Sequence, residues 1–369
     1  MISNAQLSKV EPSYFPALTG IRAISAFLVY VHHFHPFSED LIGSRLFRIL
    51  REAHIGVSIF FVLSGFLIAY RYYGQTNFNF KKYLINRVAR IYPVYFALTL
   101  VTFILNPEAF MGSYSILILN ITFLRGFFEA FKFTGIAPGW SLTVEETFYF
   151  TAPVFFYFIR KSKVFLIGLP IICLTIGWIL VQIFSTISFH GLFGSNSFML
   201  LYTFLGRSIE FFTGISLAIL FMGNTSKIKG FKFTFIGLMM LGVCLTALAY
   251  FSGETFSYGV FHPMGICINN LLLPLTAVAI LFYGLLRENT WFSRFLSTPT
   301  MELLGKSSYI FYLIHMGIIS TGLLSISDNL IFHFIALNLI SILLFKFFED
   351  PLNHFIRRKF STSTNTVKS

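Results

Sequence analysis

The chain has 369 residues, 56% of them hydrophobic and only 11% charged, whereas a water-soluble domain carries about a quarter charged residues. A mean hydropathy of +0.75 and recurring long apolar runs exclude an ordinary soluble enzyme and indicate a polytopic helical membrane protein. The net charge of +12 would suit nucleic acid in a soluble chain. Here the basic residues gather beside the ends of apolar runs, as they do on the cytoplasmic side of a membrane, so no nucleic-acid partner is expected.

Residues 1–14 are polar and lack a signal-peptide pattern, so they read as a cytoplasmic N-terminal segment followed by a retained first helix. Apolar runs then predict ten spans, at about 17–37, 54–73, 88–106, 140–159, 164–184, 198–222, 233–251, 264–286, 307–324 and 329–347. The expected fold is all-α, a multi-pass bundle of about ten transmembrane helices. With the N-terminus inside, twenty Lys and Arg residues fall on inner loops and ends. Arg45, Arg48, Arg51, Arg125 and Lys132 fall outside, and Arg22 and Arg207 stay within spans. A crossing at 113–128 would turn Arg160, Lys161 and Lys163 outward. That segment is therefore expected to be an outer amphipathic or re-entrant piece, with both termini cytoplasmic.

In the first span, Arg22 and His33 are eleven residues apart, near three turns, so they share a helix face about 16 Å apart along the axis. Ionisable residues inside a span are costly and mark a site or a pathway. His32 and His35 lie off that face. In the first outer loop, Arg45, Arg48 and Arg51 form a stripe that is either a solvated face or an anionic-ligand contact at the mouth of the site. The second span carries Gly56, Ser58, Ser64 and Gly65, small residues that let helices approach closely. Ser64 has no base in its local sequence and is not read as a nucleophile.

Arg87 and Arg90 open the third span, suited either to lipid headgroups or to the phosphates of a cytosolic donor. At the start of the fourth, Trp140 fits the interfacial aromatic belt, Ser141 an N-cap and Glu145 a first-turn acid. Two adjacent glutamates, Glu145 and Glu146, exceed what capping needs, and Glu145 could orient or deprotonate an imidazole or hydroxyl. Arg207 and Glu210, three residues apart in the sixth span, are cheapest to carry as a pair. His315, alone in the ninth, is a hydrogen-bonded core residue or a secondary site candidate. Cys173, Cys244 and Cys267 have neither metal spacing nor a disulfide framework, so no metal is expected. Residues 359–369 read as a disordered cytoplasmic tail.

The ordered motifs resemble acyltransferase family 3, integral-membrane enzymes that acylate surface carbohydrates. They begin with Arg22 and His33 separated by ten residues, Phe60-Phe61-Val62-Leu63-Ser64-Gly65-Phe66, and Arg87…Arg90…Pro93. Trp140-Ser141-Leu142 with Glu145 and Phe148-Tyr149 follows, then Arg207…Glu210-Phe211…Gly214. Leu304-Gly305-Lys306…Ser308-Tyr309…Tyr312-Leu313…His315 and Glu349-Asp350-Pro351 with Arg357-Arg358 complete the set. The resemblance covers a membrane domain at 15–358 and implies that Arg22 and His33 are essential. It also implies acyl-CoA, acetyl-CoA foremost, as a donor co-substrate without a bound cofactor, and a glycan or glycolipid acceptor outside.

The expected activity is O-acylation of a hydroxyl on a surface polysaccharide, lipopolysaccharide or lipid-linked glycan, in the cytoplasmic membrane. His33 would act as base, Arg22 would hold the donor and Glu145 would orient the histidine. Ser64, Arg87, Arg90, Trp140, Ser141, Arg207, Glu210 and His315 are the candidate substrate-binding residues. Some relatives carry a fused serine-hydrolase-like domain that is not in this sequence, so an acyl-handling partner on the outer side would be a separate protein. The same intramembrane charges would suit a transporter or flippase, but no inverted repeat is visible. An inactive binding member is disfavoured by the retained Arg22 and His33.

Overall fold

A computed structural model describes residues 14–75, 78–187, 189–253 and 256–361, which form helices and loops with no strand among them. Most of the expected N-terminal segment, and the tail beyond 361, lie outside the described residues. The principal helices are α1 (Pro16–Phe34), α2 (Gly56–Tyr72), α3 (Phe80–Leu105), α4 (Trp140–Lys161), α5 (Phe165–Phe184), α6 (Phe204–Gly223) and α7 (Lys232–Phe251). They continue with α8 (Pro263–Arg287), α9 (Pro299–Ile314), α10 (Ile318–Ile326), α11 (Leu330–Leu344) and α12 (Asp350–Ser361). Among the described residues eight helices are long and apolar enough to cross a membrane, nine when the bent pair α9–α10 counts as one. The remaining expected span, α4, has 22 residues but falls short on apolar composition because it carries Glu145 and Glu146.

Local chemistry explains the boundaries. Pro16 and Pro299 occupy the first turns of α1 and α9, where proline's missing N–H costs nothing. The Asn79 side chain accepts from the Lys82 amide at 2.9 Å and starts α3. That start is eight residues earlier than the apolar run suggests, because Phe80–Arg87 form an amphipathic prelude that hydropathy alone does not register. Arg87 and Arg90 therefore sit well inside α3 rather than at its opening.

The ninth span is also different from expectation: it breaks after Ile314, and α10 turns 89° away from α9. The expected sixth span is split at Thr203, which is extended, with ψ 156°, between Asn196–Tyr202 and α6. Within α8, Ile268–Val278 adopt π geometry around Pro274, which cannot donate to the helical ladder. The 113–128 segment does not span: it is a helix at Tyr114–Ile121 followed by a short 3-10 turn at Leu124–Phe127. Residues 359–361, expected in a disordered tail, are the last residues of α12.

α2 and α6 form the centre of the bundle, with 72% of their apolar stretches buried, against 28% for α5 and α7 and 17% for α11. Glycines make the central contacts possible, since lipid supplies no hydrophobic drive for helices to associate and close backbone packing must replace it. A Cβ on Gly65 would collide with the Phe211 carbonyl oxygen, and one on Gly214 with that of Val62. α1 meets α9 in the same way, Gly305 lying against the Thr19 carbonyl. Phe61 stacks on Phe211 at 5.0 Å and Phe148 lies 4.4 Å from the same ring, filling the space beside the glycine contact.

Substituting Gly65→Val should lower the thermal unfolding midpoint of the detergent-purified protein, by an overpacking cost of about 1–3 kcal/mol. Gly242→Val, on a lipid-facing position with open space around it, should leave the midpoint unchanged.

Candidate active site

The helix ends around α2, α3 and α12 enclose a chamber of about 960 Å³, at the upper end of small-ligand sites. Exposed Arg71, Lys82, Lys306 and Asp350 line it together with Arg87 and Arg357. Less exposed Arg22, Arg90, Ser64, Glu145, Tyr149 and Glu349 share the lining with Phe60, Ser141 and Tyr312. Cations outnumber acids, so the chamber suits a polyanion.

Arg22 Nε donates to Ser308 Oγ at 3.3 Å. Among the described residues no carboxylate comes within ion-pair distance of Arg22, which leaves its guanidinium facing the chamber. Arg87 is 8% exposed and lies over the rings of Tyr72 and Tyr149, at 5.9 and 5.8 Å. Arg90 is within electrostatic reach of Arg22, Glu145 and Glu349. Ser64 Oγ donates to Glu145 Oε1 at 2.5 Å and accepts from the Tyr149 hydroxyl at 3.3 Å. The local sequence of Ser64 offers no base. Its carboxylate partner comes from α4, 81 residues away in the chain.

His33 is not in the chamber. It stands near the other end of α1, its Nδ1 3.1 Å from His315 Nε2. Because Arg22 meets Ser308 and His33 meets His315, α1 and α9 run side by side in the same direction. The expected Glu145–His33 contact is corrected: Glu145 bonds Ser64 in the chamber, and the ring beside His33 is that of His315. His32 turns to a different neighbour, its Nδ1 donating to the Arg51 carbonyl at 2.5 Å.

The other candidates divide. Ser141 lies just inside α4 rather than capping it, donating to the Pro138 carbonyl at 3.1 Å and pairing with the Tyr312 hydroxyl at 2.9 Å. Trp140 is not a chamber residue; its ring edges Tyr202 at 4.9 Å and Phe61 at 6.4 Å. Arg207 and Glu210 also stand outside the chamber, as a buried bidentate pair with bonds of 2.7 and 2.6 Å. Arg207 donates further to Ser58 and to the Leu201 carbonyl. Their geometry is that of a closed internal pair behind Phe61, which lies 5.2 Å from the Arg207 guanidinium.

Of the outer arginine stripe, Arg45 and Arg48 are exposed, whereas Arg51 donates to the Ser257 carbonyl at 3.1 Å and lies over Tyr258. Sequence reasoning missed Tyr149, Glu349 and Arg357 as chamber residues, although the motifs Phe148-Tyr149, Glu349-Asp350-Pro351 and Arg357-Arg358 contain them. It placed Arg125 on the outer side, in the 113–128 segment, and did not foresee its burial. Arg125 is fully buried, donates to the Ile136 carbonyl at 2.5 Å, and leaves Nε and Nη1 without partners among the described residues. Burial pushes its guanidinium below the ordinary arginine value. No signal local to Arg125 reveals this, since the burial comes from residues 136–143 folding over it.

An apolar helical bundle holding a cationic chamber and, along one helix, a separated arginine and histidine is the architecture of a multi-pass membrane protein with a polar internal site. The chain belongs to the acyltransferase domain family, which it matches over residues 15–348. It is 24% identical over 334 residues to "Putative O-acetyltransferase SACOL0978" of Staphylococcus aureus (strain COL), covering 83% of this chain and 51% of that protein. To "Putative peptidoglycan O-acetyltransferase YrhL" of Bacillus subtilis (strain 168) it is 24% identical, over 94% of this chain and 56% of the relative. "Acyltransferase MdmB" of Streptomyces mycarofaciens is 29% identical over 40% of this chain and 41% of its own length. The chain thus spans about half the length of the first two relatives. No solved structure matches it.

Because Glu210 is fully buried, Arg207→Leu should cost about 3–5 kcal/mol of stability by stranding its charge. Adding Glu210→Leu should restore most of the thermal unfolding midpoint in detergent, and transfer activity should follow stability rather than charge.

Proposed function

We propose that the protein is a multi-pass O-acyltransferase of the cytoplasmic membrane. It takes an acyl group, acetyl foremost, from acyl-CoA and passes it to a hydroxyl of a surface carbohydrate or glycolipid. The observation that carries this reading is the division of labour along α1. One end of the helix serves a polycationic chamber large enough for a nucleotide-bearing donor, and the other presents an imidazole outside it. The positive-inside distribution of Lys and Arg supports a cytosolic opening for the chamber and an outward position for His33.

In this reading Arg87, Arg90 and Arg357 hold the donor's phosphates, for which the planar guanidinium is suited. Arg22 meets the donor deeper in, where the acyl-bearing arm runs past Phe60 and Tyr312 toward the outer half. His33 takes the proton of the acceptor hydroxyl as its oxygen attacks the thioester carbonyl carbon. The C–S bond breaks, and the leaving thiolate receives that proton from the imidazolium. General-base assistance of this kind contributes typically 10²–10⁴-fold. The names of the relatives, O-acetyltransferases among them, support the same chemistry, and the peptidoglycan in one of those names makes an amino-sugar glycan the first acceptor to try.

Purified protein in detergent, given acetyl-CoA and oligomers of N-acetylglucosamine, should release free thiol and form acetylated sugar. His33→Ala should lower transfer about 10²–10⁴-fold while acetyl-CoA still binds in calorimetry. Arg22→Ala should weaken that binding by about 10- to 100-fold, the loss expected for a charge-assisted hydrogen bond. Full transfer by His33→Ala would sink the reading.

A further inference from the structure

The exposed imidazole of His33 and the buried one of His315 meet where α1 and α9 run together, and backbone carbonyls dictate which nitrogens carry hydrogen. His33 Nδ1 lies 2.9 Å from the Val29 carbonyl oxygen and 3.1 Å from His315 Nε2. His315 Nδ1 lies 2.7 Å from the Tyr312 carbonyl oxygen. A carbonyl only accepts, so both Nδ1 atoms are N–H donors. In a neutral His315 ring Nε2 then bears a lone pair, and the His33 Nδ1–H is shared between it and Val29. The remaining nitrogen of His33, Nε2, is the unprotonated one, the atom a general base requires.

We propose that His315 is a positioning residue for the transfer reaction. It accepts the Nδ1–H of His33, aims Nε2 at the acceptor hydroxyl and stabilises the imidazolium formed when that nitrogen takes the proton. The proposal rests on the reading of His33 as base. The acceptor's proton ends on His33 Nε2 and returns from there to the leaving thiolate; no proton moves to His315. A neutral imidazole suits this place inside a bilayer, since it accepts a hydrogen bond without burying a formal negative charge.

The surrounding structure holds His315 in place. It is 1% exposed and caps the C-terminal end of α9, where the ninth span breaks. The Phe311 ring lies parallel to its imidazole, within 6°. The bent segment is tied back through three side chains. Tyr30 donates to the Leu330 carbonyl at 3.0 Å, so His333 Nδ1 donates to the Tyr30 oxygen, also 3.0 Å away. His333 Nε2 is then free to accept from Ser320 Oγ at 3.1 Å. This chain links α1, α10 and α11 and fixes the break that presents His315 to His33.

The other titratable and charged groups around the pair are His32 and His35 on α1, Arg51 and His54 from the outer segment, and His333 behind His315. Among the described residues none of them hydrogen-bonds His33, so removal of the His315 acceptor should act on His33 directly. Loss of the acceptor destabilises the imidazolium and makes Nε2 less basic. The acid limb of the pH–rate profile should then move to lower pH while the plateau falls.

The test uses the full-length protein labelled with ring-15N histidine, acetyl-CoA, and N-acetylglucosamine oligomers as acceptor, with the His33 resonances assigned by their loss in His33→Ala. In the wild type, above its titration, His33 should show a protonated Nδ1 and a lone-pair Nε2. An Nε2–H tautomer there would overturn the proposal without any variant of His315 having to fold. His315→Leu should lower kcat about 10- to 100-fold, leave KM for acetyl-CoA unchanged, and move both the acid limb and the His33 titration to lower pH. His315→Gln, whose amide oxygen still accepts, should restore all three. Wild-type kcat and an unmoved titration in His315→Leu would also overturn it. Full transfer by His33→Ala would remove the base reading alone, leaving the tautomer and the titration to decide the pairing.

Discussion

Placing a charge inside an apolar bundle costs so much that each one in this protein must be compensated, and the means of compensation separates the parts of the molecule. Arg207 and Glu210 neutralise each other and disappear from solvent. Arg125 is buried against the Ile136 carbonyl oxygen rather than a counter-charge. Arg22, Arg90 and Glu145 instead face a chamber open enough to be hydrated, which keeps them available to a ligand. Charges that close on one another are structural; those that share an unfilled space are where chemistry can occur.

The chamber depends on contacts that carry no charge. Gly65 and Gly214 let α2 and α6 touch backbone to backbone, and Gly305 does the same for α9 against α1. These approaches bring Ser308 beside Arg22 and His315 beside His33, and they set Ser64 on the wall where Glu145 reaches it. A side chain added at one of those glycines would open the interface by more than a hydrogen bond tolerates. Packing and polar geometry are therefore one constraint in this bundle.

The two ends of α1 do different work because the helix is unbroken from Pro16 to Phe34. The separation of about 16 Å between Arg22 and His33 follows from helical rise alone. Nothing in one helix, however, says what stands opposite each residue. At the Arg22 end the neighbour is a serine hydroxyl; at the His33 end it is an imidazole held at a break in α9–α10.

From the sequence alone follow the membrane class, the places of most apolar helices, the non-spanning nature of 113–128, and the shared face of Arg22 and His33. These properties are local: they depend on hydropathy over one helix length and on a fixed periodicity. The early start of α3 escaped because its first turns are polar, and the break in the ninth span escaped because α9 and α10 are both apolar. The i, i+3 spacing of Arg207 and Glu210 already pointed to their pairing, whereas only the tertiary structure decided that Glu145 belongs to Ser64 and that His315 belongs to His33. Those pairings join residues as far as 282 positions apart. They are set by which helices touch and how they are rotated, and neither hydropathy nor loop charge encodes that.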